Sequence, residues 1–411
     1  MADEAARMAI ILGDGLGDRP EAVLDGLTPA EAANTPTLDR LAAEGISGLM
    51  DPIAPGVRAG SDTAHLAILG NDPYKTYTGR GPFEALGIGM EVQRGDICFR
   101  CNFATVDEQF MVVDRRAGRI DSGTHELAQA LDGMKCGDVT CLFKESVEHR
   151  AALILRGPNL GPEVSDVDPH EEGARIHTAE GKDAPSERTA QALNDFVCRS
   201  YEILKDHPLN KAREKAGKAP ANIVLPRGVG VAPHLEPFEQ RYGFSGACIV
   251  EVGLIKGLGR YLQMEVPEVP GATGSHDTDE KALADAVLEA LGRHPFVLCN
   301  MKAPDLSGHD GDPEMKVKDV EKLDRLVERV VKGLRGPVCL AVTGDHSTPC
   351  SVKDHSGDPL PIVIWGPGVR TDGAKEFGER PSQTGGLGRI RGHDLMNVLT
   401  NLTVRQEKFG A

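Results

Sequence analysis

Aspartate and histidine recur in this sequence just after short apolar runs. Residues 8–12 lead into Asp14. Residues 296–301 lead into Lys302-Ala303-Pro304-Asp305-Leu306-Ser307-Gly308-His309. Residues 338–343 lead into Gly344-Asp345-His346, and His355 follows soon after. Carboxylate oxygens and imidazole nitrogens together suit borderline divalent ions. There are enough of them for two ions, which could clamp both oxygens of an in-line displacement at phosphorus. A single Asp after a strand usually caps a turn, and His355 alone reads as a surface residue. The recurrence is what points to a metal centre. Asp305 and His309 have the i, i+4 spacing of a helix face, but Pro304 and Gly308 predict a loop.

Gly60-Ser61-Asp62 opens a helical run. Helix N-terminal N–H groups favour a phosphate, and an adjacent metal would activate the serine as a nucleophile. Taken alone, the position reads as an N-cap. The loop at 13–17 is G-x-G-x-G, lacks the dinucleotide spacing G-x-G-x-x-G, and carries an Asp that would repel a pyrophosphate. Cys98-x-x-Cys101 lies in an apolar strand pattern without a second pair, so it reads as core. Arg100, Arg115, Arg116, Arg119 and Arg227 supply guanidinium groups that suit carboxylate and phosphate. Asp168-Pro169-His170 reads on its own as a turn.

The elements that must position these groups follow from periodicity. Strands are predicted at 8–12, 97–106, 109–113, 139–143, 151–155, 248–252, 296–301, 338–343 and 361–365. Helices are predicted from Pro36 with Thr35 as cap, at 61–70, near 122–132 and 186–206, and at 278–291, 317–334 and 393–400. Strands alternating with helices at both ends of the chain imply a mostly parallel sheet covered on both faces. The middle has a different texture and reads as an insertion.

The 411 residues predict two to three domains at roughly 150 residues each. With 46 Lys and Arg against 62 Asp and Glu, the net charge is −16. That balance argues against a large nucleic-acid footprint and against adsorption to anionic membrane. It leaves room for a small phosphorylated substrate, because a few arginines or bound metals reverse the local field. Aromatic residues are only 4%, too few for nucleic-acid stacking platforms. No apolar run of about 20 residues predicts a membrane helix, and the first residues do not read as a secretory leader. Nine scattered cysteines predict reduced, mostly buried thiols in a cytoplasmic protein.

Taken in order, these segments resemble the archaeal-type, cofactor-independent phosphoglycerate mutases of the alkaline phosphatase superfamily. The resemblance rests on GDGLGD (13–18), TPTLDRLA (35–42), AGSDTAHLAILG (59–70), GRGPFEALG (79–87), RCNFATVD (100–107), DRRAGRI (114–120), DVDPH (166–170), LIKGLGR (254–260), KAPDLSGHDGD (302–312), TGDHSTPC (343–350), KDHSGDPLP (353–361) and GLGRIRGHDLMN (386–397). It implies an α/β fold, with an alkaline-phosphatase-like, mostly parallel sheet sandwiched by helices. Residues 1–94 and 241–411 would form the metal-binding catalytic domain, and 95–240 an inserted substrate-binding cap of α/β or α+β type.

The resemblance also implies roles. Asp14, Ser61, Asp345 and His346 would hold one metal, and Asp305, His309 and His355 the other. Mn2+ is the first choice, with Co2+, Zn2+ or Mg2+ as alternatives, and no 2,3-bisphosphoglycerate is required. Ser61 would take the phosphoryl group, with Lys256 close to it. Arg115, Arg119, Asp168, His170 and Arg227 would bind the glycerate. The implied activity is an isomerase of glycolysis and gluconeogenesis that interconverts 3-phosphoglycerate and 2-phosphoglycerate through a phosphoserine. A related phosphotransferase or phosphatase on the same scaffold, for example one directed at homoserine, is the alternative.

Overall fold

The computed structural model describes residues 6–406 together with 408 and 410. Two compact units divide the chain, one built from residues up to 77 and from 235 onward, the other from 78–234. The N-terminal segment supplies β1 (Arg7–Gly13) and β2 (Ile46–Asp51). The middle supplies β3 (Ile97–Val106), β4 (Val112–Asp114), β5 (Met134–Cys136), β6 (Val139–Glu145), β7 (Arg150–Arg156) and β8 (Ile223–Val231). The return segment supplies β9 (Gly246–Val250), β10 (Phe296–Met301), β11 (Val338–Gly344), β12 (Leu360–Trp365) and β13 (Gly388–Arg391).

In the first unit a seven-stranded sheet has the order β13-β2-β12-β11-β1-β10-β9. Strands β9, β10, β1 and β11 are parallel. Only β12 runs against its neighbours, and β13 rejoins β2 in parallel. The expected mostly parallel α/β sheet is therefore the one observed. Every residue of β10 and β11 is buried, as parallel strands covered on both faces require. Gly13 stands level with Met301 on one side and Gly344 on the other. Asp14, Lys302 and Asp345 therefore leave the sheet side by side at one rim, beyond the carboxyl ends of three adjacent strands.

The loop expected around Asp305 is instead a helix, Ala303–Asp310. Pro304 lies in its first turn, where the missing N–H would have had no partner. Gly308 is needed for close approach, since a Cβ there would lie 2.2 Å from the Thr348 carbonyl oxygen. Gly15, at φ +62°, has the same need, with Thr348 Oγ1 2.7 Å from where a Cβ would sit. The glycine loop thus lets the strand ends crowd together.

Behind the rim, Lys316 is fully buried and fully bonded, to Asp18 Oδ2 at 2.8 Å, the Thr348 carbonyl at 2.9 Å and the Gly17 carbonyl at 3.1 Å. Asp18 also receives the Cys350 amide. This staple ties the loop after β1 to the loop after β11.

Glu379 sits beside it, accepting from the Asp18 amide at 3.1 Å and from Thr28 Oγ1 at 2.5 Å. Burial pushes its carboxyl up to about 7, against the pull of those hydrogen bonds. A folded value above the unfolded one stabilises at acid pH, and that contribution is lost as pH rises through about 7. Glu379→Gln is therefore expected to flatten the loss of stability between pH 5 and 8. The gain at pH 8 should be about 1–2 kcal/mol, trimmed by the residue's partial exposure. Urea midpoints at the two pH values check this, and a variant with an unchanged pH slope would refute it.

In the second unit the sheet order is β4-β3-β7-β6-β5, with β8 on the other side of β3. All of its pairings are antiparallel. The helix Ala184–Leu204 packs on β8, β5 and β7. Its Phe196 meets Phe143, which in turn meets Phe103 edge-on at 5.6 Å. Residues 78–94 belong with this unit and not with the first, because the helix Gly81–Gly87 packs on β3, β7 and β8. Residues 235–240 fall in the first unit. The nine cysteines are free thiols, and all but Cys198 are buried, including Cys98 and Cys101 on β3. Among the described residues, no helix is long and apolar enough to cross a membrane.

Candidate metal centre and catalytic serine

Three histidines define the site. His346 follows β11 and is fully buried, its Nδ1 3.1 Å from Thr348 Oγ1. Thr348 Oγ1 donates to Asp305 Oδ1 at 2.7 Å, so it must accept from His346 Nδ1–H. His355 Nδ1 donates to the Ala59 carbonyl at 2.8 Å, and His309 Nδ1 to the Lys353 carbonyl at 3.1 Å. In all three rings the network places the proton on Nδ1 and leaves a lone pair on Nε2.

Those lone pairs point at carboxylates. His346 Nε2 lies 3.4 Å from Asp345 Oδ2, 3.6 Å from Asp14 Oδ1 and 3.1 Å from Ser61 Oγ. His309 Nε2 and His355 Nε2 lie 3.5 and 3.6 Å from Asp305 Oδ1. A lone pair facing an anionic oxygen is repulsive unless a cation lies between them. Two ligands each about 2.0–2.2 Å from one ion stand roughly 3.3–3.6 Å apart. Asp14, Asp305 and His346 form one compact donor group, and Asp305, His309 and His355 another. Asp345 Oδ2 is buried without a hydrogen-bond partner. These residues fit divalent ions.

Electrostatics give the same answer. Burial lifts Asp14 and Asp345 above the usual carboxylate range, reinforced at Asp345 by the charge of Asp14. Burial acts on Asp305 as well, but the Lys302 charge and the nearby imidazoles outweigh it and hold that carboxyl low. Burial and the neighbouring His355 keep His346 neutral. Burial lowers His65 to about 4. Its Nδ1 is held by the Ser61 carbonyl at 2.7 Å, and its Nε2 is buried and unpartnered.

Ser61 is not the cap that its position suggested. Gly60 is the N-cap, and Ser61 is the first residue of the helix Ser61–Ile68, its Oγ turned to His346. Tyr77 Oη fixes Asp62 at 2.7 Å. Lys256 lies on the helix Gly253–Tyr261, which packs on the Ser61 helix, but its ammonium is engaged by Glu268 at 2.5 Å.

The remaining expected residues lie in the second unit. Arg115 grips Asp168 with bonds of 3.0 and 2.6 Å, and Arg227 Nε stands 3.4 Å from the same carboxylate. Burial would raise Asp168, yet the Arg115 bonds, the His170 amide and both guanidinium charges hold it low, which makes it a weak base as placed. His170 pairs with Asp166 at 3.1 Å. Arg119 is not brought to Asp168 by any contact among the described residues. It lines a surface cleft with Arg115, Arg116 and His170. Arg119 and His170 both have positive φ, at +53° and +65°, a strained backbone for side-chain-bearing residues.

Sequence reasoning missed Lys302, whose ammonium bridges Asp14 Oδ1 at 2.8 Å and Asp305 Oδ2 at 2.6 Å. It also missed Asn300, which donates to Asp14 Oδ2 at 3.1 Å, and Thr348. The available signal was a lysine placed between a strand end and Asp305.

Residues 42–210 match the family model for 2,3-bisphosphoglycerate-independent phosphoglycerate mutase. The 2,3-bisphosphoglycerate-independent phosphoglycerate mutase 1 of Methanothermobacter thermautotrophicus is 52% identical over 409 residues, covering 98% of this chain and 99% of that one. The chain belongs to the 2,3-bisphosphoglycerate-independent phosphoglycerate mutases. The solved cofactor-independent phosphoglycerate mutase from Thermoplasma acidophilum is 38% identical, with a TM-score of 0.73 over 97% of this chain and 100% of that one. A solved Pyrococcus horikoshii protein is 40% identical, with a TM-score of 0.88 over 99% of this chain and 100% of that one. Phosphoglycerate mutases are isomerases that move a phosphoryl group within one molecule. In this member of the family, the Ser61 hydroxyl lies 3.1 Å from His346 Nε2.

Proposed function

We propose that the chain interconverts 3-phosphoglycerate and 2-phosphoglycerate through a phosphoserine at Ser61, without 2,3-bisphosphoglycerate. The observation that carries this reading is the Ser61 hydroxyl, 3.1 Å from His346 Nε2 at a helix N-terminus and beside the paired donor groups. Asp14, Ser61, Asp345 and His346 would hold one ion, and Asp305, His309 and His355 the other, with Mn2+ ahead of Co2+, Zn2+ and Mg2+. When bound, such ions supply positive charge against the phosphoryl oxygens and favour an ionised serine.

The chain's own groups do the rest. Ser61 Oγ forms a bond to phosphorus as the bond from phosphorus to the substrate's 3-oxygen breaks. Helix N–H groups at Ser61 favour the negative phosphoryl oxygens. Lys256 is assigned to the group in transit and must leave Glu268 to reach it. The inserted unit, with Arg115, Arg119, Asp168, His170 and Arg227, retains the glycerate while it turns over. The released 3-oxygen takes up a proton to become a hydroxyl and the 2-hydroxyl gives one up, so that no net proton is gained or lost. The 2-oxygen bonds to phosphorus as the bond from phosphorus to Ser61 Oγ breaks. Water must be excluded meanwhile, since it would hydrolyse the phosphoserine.

An enolase-coupled assay with 3-phosphoglycerate tests this, run with Mn2+ and with excess EDTA, no bisphosphoglycerate added, and inorganic phosphate measured in the same tube. Metal-dependent 2-phosphoglycerate without phosphate release is expected. Phosphate release alone would mean a phosphatase, and neither signal would remove phosphoglycerate as the substrate.

A further inference from the structure

Lys302 touches both donor groups at once. Its side chain is mostly buried, and its ammonium lies 2.8 Å from Asp14 Oδ1 and 2.6 Å from Asp305 Oδ2. It is held there from behind. The Lys302 amide donates to Glu251 Oε2 at 2.7 Å, and Glu251 is itself pinned by the Gly274 amide at 3.1 Å and by the Thr278 hydroxyl.

The consequence for the carboxylates is specific. Asn300 holds Asp14 Oδ2, and Lys302 holds Oδ1. Thr348 holds Asp305 Oδ1, and Lys302 holds Oδ2. Each oxygen of these two carboxylates already faces a protein donor, whereas Asp345 Oδ2 is bare. A divalent ion at either group would share an oxygen with the ammonium or sit within a few Å of its charge. That charge opposes the ion. Without an ion, the same charge keeps Asp14 and Asp305 from repelling each other, as two buried carboxylates at one site otherwise do.

We propose that Lys302 is a resident counter-charge that keeps the metal-free centre assembled and weakens its affinity for divalent ions, so that it is a positioning residue and not a metal ligand. The inference rests on the two-metal reading above. It is tested by titration calorimetry of metal-free protein with Mn2+, and by thermal unfolding with and without Mn2+.

Lys302→Met keeps the length and removes the charge. It should bind Mn2+ at least tenfold more tightly at one site or both, with a lower unfolding temperature only when metal-free. Lys302→Arg, which restores the charge, should return the affinity to within threefold of wild type. If the methionine variant does not fold, Lys302→Gln removes the charge while keeping one hydrogen bond, and the same tighter binding is expected of it. Unchanged or weaker Mn2+ binding by a folded, uncharged variant would overturn the counter-charge role. Wild-type protein that binds no Mn2+ would instead overturn the two-metal reading itself.

Discussion

Ser61→Ala is expected to lose at least about 10^4-fold in kcat while remaining folded. The two expectations come from different parts of the structure. Ser61 carries the only nucleophilic hydroxyl among the described residues that faces His346 Nε2 across a hydrogen bond. Its replacement leaves no atom to take the phosphoryl group. Stability should change by less than about 0.5 kcal/mol, because Gly60 and not Ser61 is the N-cap and alanine is a strong helix former. Acid-quenched wild-type protein should show phosphate on the peptide containing Ser61, and the variant should show none. Turnover by the variant within tenfold of wild type would sink the covalent route.

Removing divalent metal is expected to abolish activity and destabilise the fold together, and Mn2+ should restore both. The Lys302 ammonium bridges Asp14 and Asp305 but not Asp345, whose buried Oδ2 is left without a partner that a bound cation would supply. An ion at 100 times its Kd adds about 2.7 kcal/mol per site. Both changes should depend on pH in a defined direction. In metal-free protein, burial raises Asp14 and Asp345, so the folded chain keeps protons that the unfolded chain has already released. Stability from those protons is present at acid pH and is lost as pH rises through the raised folded values. Neutral His65 and His346 favour the folded state as pH rises from 5 to 8 in either form, so the expectation lies in the difference. Stability of Mn2+-loaded protein should climb more steeply with pH than that of metal-free protein, since ions displace the protons on Asp14 and Asp345. Melting curves across that range, with and without EDTA, measure both slopes. Parallel slopes would mean the carboxylates are not where the metal binds.

Much of the centre was legible because its ligands follow buried strands, and strands that read as unbroken apolar runs can be placed from sequence. Strands β1, β10 and β11 were found that way, and with them Asp14, Asp305 and Asp345. The helix around Asp305 was misread because Pro304 and Gly308 are breakers by propensity, yet one sits in a first turn and the other makes room for Thr348. Strand β8 was missed for a similar reason. Pro226, Gly228 and Gly230 read as turns, but the strand pairs along β3 all the same. Lys302 was invisible for another reason. A lysine next to a ligand has no periodicity, and its role appears only when Asp14, distant in sequence, is brought to it. The boundary of the insertion moved because residues 78–94 look like turns until their short helix is seen against β3.

The pairing of β1 also bears on the order in which the molecule is made. Met8 lies between Phe296 and Cys339, both supplied by the return segment. On the ribosome, β1 and β2 emerge early and find no strand to join. The inserted unit completes its sheet as soon as β8 is made, because all six of its strands lie within 78–234. Until β10 and β11 follow, the apolar N-terminal strands present open edges, the kind of surface on which nascent chains associate wrongly. The rim that carries Asp14, Asp305 and Asp345 is thus among the last structures to form during synthesis. The yield of active enzyme depends on how well that waiting interval is protected as well as on how stable the finished sheet becomes.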